Sequence, residues 1–185
     1  MKDMYKKPML IGVVLLVILV ISFFLDNLFL DFSSGLIFPV LEYMFSFLTN
    51  IVFVILVLLV YPTIMLWHER KEKWILPLWT AFWVVVAITF ILKVLVQRSR
   101  PISDDGFLAI LVYSFPSTHT ACAFSVLPVL NYVFRREMWL WTSLVVLIGL
   151  SRLYLQVHYL SDVLAGALIG YSIGWVVIYM KERYL

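Results

Sequence analysis

Charged residues cut this chain into long apolar stretches, and those stretches predict its elements. Six runs carry no Asp, Glu, Lys or Arg: Pro8 to Leu25 (18 residues), Tyr43 to His68 (26), Trp74 to Leu92 (19), Gly106 to Phe134 (29), Met138 to Ser151 (14) and Val163 to Met180 (18). A helix crosses a ~30 Å hydrocarbon core with about 20 mostly apolar residues, so the pattern predicts an all-α bundle of six transmembrane helices. The fifth crossing reaches that length only by continuing through Arg152 toward Val157. The first run precedes further spans and is followed by no small-residue cleavage site, so it is expected to be a retained anchor, not a signal peptide. Ser33-Ser34-Gly35 predicts a turn after it. Leu36 to Leu48, interrupted by Pro39 and Glu42, then predicts a short outer interfacial helix, with continuation into the second span as the alternative. With no repeat or flexible linker, residues 1–185 read as a single integral membrane domain.

Composition agrees with that reading. The 185 residues are 64% hydrophobic and 14% charged, with a mean hydropathy of +1.02, which excludes an ordinary soluble domain. The one cysteine, Cys122, excludes an internal disulfide or a multi-Cys zinc site. The net charge of +3 does not point to nucleic acid, because the basic residues are few and scattered. Ten of the 14 Lys and Arg lie before the first span, between the second and third, between the fourth and fifth, and after the sixth. The positive-inside rule therefore predicts that both termini are cytoplasmic and that the odd-to-even connections face outward.

Four cations break that rule. Lys93, Arg98, Arg100 and Arg152 fall at the outer ends of predicted spans, near membrane depth, where ionisable groups are costly, up to about 2.5–3.5 kcal/mol at a helix centre on insertion scales. Snorkelling to headgroups explains any one of them, whereas the four together call for an anionic partner. In sequence the nearest acids are Asp104, Asp105 and Asp162, and the two imidazoles of His119 and His158 fall on the same side. His68 sits in a basic inner loop and reads as a solvated or interfacial residue. Cations that neutralise phosphoryl oxygens, beside histidines able to act as nucleophile or acid/base, are the composition of a phosphate-handling site.

These residues fall into three ordered segments: Lys93-x6-Arg100-Pro101, Pro116-Ser117-Thr118-His119, and Ser151-Arg152-x5-His158-x3-Asp162. The trio resembles the signature of the type 2 phosphatidic acid phosphatase superfamily, with Thr118 standing where that family usually has Gly. Each position also has a physical reason. Lys93 and Arg100 lie about 10 Å apart if the helix continues, so the chain is expected to turn before Pro101 and bring the guanidinium back. Ser117 is a natural N-cap whose following amides, at Thr118 and His119, form an anion site. His158 and Asp162 have i,i+4 spacing, so the carboxylate can orient the ring. Gly166, Gly170 and Gly174 extend the Asp162 face as a small-residue ridge, for packing within the bundle or, alternatively, for dimerisation. Arg98 lies outside the pattern and reads as a headgroup contact. Asp104-Asp105-Gly106 reads as a solvated turn in preference to a cation site. Phe107 to Tyr113 reads equally as a lipid entrance or a packed loop.

The resemblance implies a membrane lipid phosphatase working through a phosphohistidine. His158 is the nucleophile, Asp162 orients it, and His119 is acid then base. Lys93, Arg100, Ser117, Thr118 and Arg152 bind the phosphoryl oxygens. It implies no metal and no cofactor, since side-chain cations take the usual place of Mg²⁺. The partners are a lipid phosphate substrate and the surrounding membrane lipids, with the oligomeric state open. An outward site favours a polyprenyl diphosphate carrier lipid, with phosphatidylglycerophosphate or phosphatidate as runner-up. A lipid phosphotransferase and a non-enzymatic anionic-lipid binder are the alternatives from other classes.

Overall fold

The computed structural model describes residues 2–102 and 113–184. Among the described residues the chain is all-helical, with α1 (Lys2–Ser34), α2 (Pro39–Leu48), α3 (Ile51–His68), α4 (Ile75–Val96), α5 (Thr118–Val133), α6 (Met138–Tyr154) and α7 (Leu160–Tyr184). Asp104, Asp105, Gly106 and the segment 107–112 lie outside the described residues. Four segments are long and apolar enough to cross a membrane: Leu16–Ser34 of α1, α3, Glu72–Val96, and α7. α5 and α6, at 16 and 17 residues, fall short of the six-span expectation by length or hydropathy. Much of the outer surface is apolar, with Phe24 85% and Leu95 72% exposed, as suits contact with hydrocarbon.

α1 runs well past the end of its apolar stretch and carries Asp26 and Asp31 within the helix. The hydroxyls of Ser33 and Ser34 donate to the carbonyls of Leu30 and Asp31, so the expected turn begins only at the helix end. α2 is a helix of its own with Pro39 at its first position, where a missing N–H costs nothing. Asn50 separates it from α3 by accepting from Val52 N at 2.9 Å. Within α3 a π turn over Leu56–Val60 precedes Pro62. Proline lacks an N–H and crowds the carbonyl one turn back, and a wider turn relieves both effects. α4 stops at Gln97, whose φ of 51° is left-handed.

α5 is the central helix. It packs along α7 over most of its length and also meets α4, α6 and the start of α3. Ala121, Ala123, Val126, Val129 and Leu130 are fully enclosed. The α5–α7 contact is made by backbone. A Cβ added at Gly166 would lie 2.6 Å from the Ser117 carbonyl oxygen, and one at Gly174 would lie 2.8 Å from Pro128 Cγ. At Gly170 an added Cβ would press on the Ala121 carbonyl and sit 2.9 Å from Ser125 N. The small-residue ridge is therefore used inside the bundle.

Gly170→Ala should destabilise the detergent-solubilised protein by about 1–3 kcal/mol, the cost of overpacking against backbone that cannot rotate away. Gly35→Ala, where the nearest atom is 3.8 Å from the new methyl, should leave the thermal midpoint within error. Equal midpoints for both variants would show that the α5–α7 contact is not the tight one.

Candidate active site

Three polar segments meet at one end of the bundle because their helices start or stop there. α4 ends just after Lys93, and its left-handed Gln97 turns the chain, so the helix breaks between Lys93 and Arg100 as their spacing required. The returning segment is tied to the residues before α5 by Ser114 N donating to the Arg98 carbonyl at 2.8 Å. α5 begins at Thr118, and Ser117 N donates to the Asp162 carbonyl at 3.0 Å, joining the second motif to the third. α6 ends just after Arg152, and α7 begins at Leu160.

Ser117 occupies the N-cap position, but its hydroxyl does not bond the helix amides. It accepts instead from Thr120 Oγ1 at 3.0 Å. The amides of Thr118 and His119 thus open the helix without a side-chain cap, the arrangement that binds anions elsewhere. Lys93 is 5% exposed and donates to the Tyr113 carbonyl. Arg152 is also buried, and its Nε has no hydrogen-bond partner. Arg100 and the partly buried His119 lie within electrostatic reach of Lys93 and Arg152. All eight residues singled out by the motifs thus converge on one end of the bundle.

His158 lies in the connection before α7, so it does not share a helical face with Asp162 as the spacing suggested. The two still meet, with Nδ1 3.5 Å from Oδ2. That is longer than a good hydrogen bond, as catalytic contacts often are without substrate. Both groups are buried. Asp162 is held from two sides: Oδ2 accepts from Tyr159 N at 2.9 Å, and Oδ1 accepts from Arg98 at 2.8 Å. Burial pushes the His158 imidazole down to about 4, with Arg152 and Lys93 adding to the effect and Asp162 opposing it. The ring is therefore neutral at physiological pH, the form a nucleophile requires.

Arg98 corrects the sequence reading. It is not a free headgroup contact but bridges Asp162 and, at 2.7 Å, Asp26 of α1. Its guanidinium lies 4.0 Å from the Tyr159 ring centre. Asp26 and Ser161 were not singled out at all. The one available signal was charge: four outer cations required an acid, and Asp26 closes the first apolar run. Its distance of 72 residues from Arg98 hid the pairing.

A model of the PAP2 superfamily matches residues 72–184, more than half of the chain. The chain belongs to the PAP2 superfamily. A lipid A 4′-phosphatase of Bacteroides thetaiotaomicron is 28% identical over 86% of this chain and 78% of its own length. A decaprenylphosphoryl-5-phosphoribose phosphatase of Mycobacterium tuberculosis is 34% identical over 59% of this chain and 62% of its own. In fold, the chain is similar to a PAP2-type phosphatidylglycerolphosphate phosphatase from Bacillus subtilis, with a TM-score of 0.75, 22% identity, and 94% and 97% of the two chains covered. As a PAP2 member this chain is a membrane-bound phosphate hydrolase acting on lipid. α1, α2 and α3 precede the segment that matches the family.

The low proton affinity of His158 is directly measurable. In ¹⁵N-histidine-labelled protein in detergent, the resonance lost in His158→Ala should titrate near pH 4. A midpoint at or above the ordinary 6.5 would mean that the ring is not desolvated.

Proposed function

We propose that this PAP2 phosphatase hydrolyses a lipid phosphate at the outer membrane face through a phosphohistidine on His158. Six helices cross the membrane. α5, short and less apolar, does so inside the bundle, screened from lipid by α4, α6 and α7, and α6 crosses with help from thinning at its ends. The basic connections lie on the cytoplasmic side with both termini, which puts the site outside.

The observation that best supports this reading is the His158–Asp162 approach among buried cations, 3.5 Å at Nδ1. With Nδ1–H directed at the carboxylate, Nε2 keeps a lone pair for attack on phosphorus. The new N–P bond forms as the P–O bond to the lipid breaks, and His119 gives the leaving oxygen its proton. His119 then takes a proton from water, whose oxygen displaces His158 and releases phosphate. Lys93, Arg100, Arg152, Ser117 and the amides of Thr118 and His119 stabilise the equatorial oxygens, so no metal is required. The threonine at 118 keeps the amide and adds a hydroxyl.

Charge balance bears on the substrate. Lys93, Arg98, Arg100 and Arg152 outnumber Asp26 and Asp162 by two, which suits a phosphate monoester dianion better than a diphosphate with a third charge. The names of the relatives point the same way, toward phosphorylated lipid headgroups. A monoester lipid therefore moves ahead of the polyprenyl diphosphate that an outward site favoured.

Phosphate release in detergent with EDTA tests this on a lipid A 4′-phosphate, phosphatidylglycerophosphate, phosphatidate and undecaprenyl diphosphate. Wild type should act on at least one of them and be inhibited by orthovanadate. His158→Ala should lose on the order of 10³-fold or more in kcat, and His119→Ala about 10²–10⁴-fold. An active His158→Ala, or activity abolished by EDTA, would sink the mechanism. Faster turnover of the diphosphate than of every monoester would restore the first substrate choice.

A further inference from the structure

We propose that Asp26 of α1, acting through Arg98, is a positioning residue for the His158–Asp162 pair, so that a helix outside the family-defining segment completes the catalytic site. The inference rests on the phosphohistidine reading above. The observation is a closed hydrogen-bond cluster. Asp26 is 5% exposed. Its Oδ1 accepts from Ser161 N at 2.8 Å, and its Oδ2 accepts from Ser161 Oγ at 2.6 Å and from the Arg98 guanidinium at 2.7 Å. The other guanidinium amine donates to Ser161 Oγ at 2.6 Å and to Asp162 Oδ1 at 2.8 Å.

A carboxylate rotates freely about its last torsion unless both oxygens are held. Here Arg98 holds Oδ1 and Tyr159 N holds Oδ2 at 2.9 Å, which fixes the plane and turns Oδ2 toward His158. Arg98 in turn is a long side chain with many rotamers, and Asp26 together with the Tyr159 ring holds it in one. The cluster is not the sole polar tie to α1 among the described residues. Gln156 separately reaches the Leu30 carbonyl and Ser33 Oγ of α1, at 3.4 and 3.3 Å.

A positioning role and a purely structural one differ in their pH behaviour. The charged groups that act on His158 are Asp162 of α7, Lys93 of α4 and Arg152 of α6, with His119 of α5 in electrostatic reach. Behind them Arg98 bridges Asp162 to Asp26 of α1, and Arg100 lies near Lys93 and Arg152. Asp26→Asn removes a negative charge, makes the surroundings more cationic, and moves the acid limb of kcat/KM to lower pH. Arg98→Gln does the reverse. Loss of folded protein scales the rate and moves neither limb.

The experiment measures kcat, KM and the pH profile on the best lipid phosphate for wild type, Asp26→Asn, Arg98→Gln, the double variant, Ser161→Ala, and Asp31→Asn as an exposed α1 control. Asp26→Asn should lower kcat about tenfold or more with KM changed less than about threefold, the pattern of lost orientation. The limbs should move in opposite directions, and the double variant should lose no more than the worse single one. Ser161→Ala, which deletes a single hydroxyl, should lower kcat several-fold and serves if Asp26→Asn does not fold. A wild-type kcat for Asp26→Asn or Ser161→Ala, limbs shifted the same way, or fully multiplicative losses would overturn the proposal. His158→Ala in the same series separates the two failures. If it stays active the phosphohistidine reading falls, and if it is dead while Asp26→Asn is normal only the positioning role falls.

Discussion

The close approach of α5 and α7 is the contact on which the site depends. Membrane helices gain little from excluding water from one another, so they associate through packing and polar contacts that improve as backbones come together. Gly166, Gly170 and Gly174 provide that approach, and a methyl at any of them meets atoms of α5. The consequence reaches the end of the ridge. With the backbones this near, Ser117 N bonds the Asp162 carbonyl, and the start of α5 is locked beside the start of α7. His119 and His158, 39 positions apart in the chain, come within electrostatic reach of each other for this reason.

Around that junction the protein holds charge where the surrounding medium disfavours it. Compensation is uneven among these ions. Lys93 has a carbonyl, Arg98 has two carboxylates, and Arg152 keeps an unpartnered Nε. A buried charge network of this kind adds little to stability and much to a site. The incomplete pairing leaves cationic capacity for an anion, whereas the depressed proton affinity of His158 comes first from burial, with Arg152 and Lys93 adding to it. The carboxylates of Asp26 and Asp162 do not cancel it, since Arg98 takes up both. The cluster therefore separates into a paired half, Asp26–Arg98–Asp162, and a half rich in cations around Lys93 and Arg152.

The elements and most of the site were legible because they follow from local rules. The apolar runs and their charged borders marked the helices, the Gly166–Gly170–Gly174 spacing marked a close contact, and the ordered motifs marked the eight residues that the fold gathers. Helix ends were less legible. α1 continues past Asp26 to Ser34, since a helix propagates through isolated polar residues when their hydroxyls and carboxylates find partners. α5 is shorter than its run and α6 continues three residues past its own, because a helix starts and stops at its capping and turn residues and not where hydropathy changes.

By itself, then, the sequence determined an all-helical membrane chain with a phosphate-handling cluster at one end, since periodicity, charge placement and motif order are properties of neighbouring residues. The tertiary structure decided which charges pair. Nothing local links Asp26 to Arg98, or distinguishes Arg98, paired with two carboxylates, from the buried Arg152, whose Nε has no hydrogen-bond partner. Those assignments come from the helix packing that carries α1 to the start of α7 and lets one carboxylate reach Ser161 and Arg98 together.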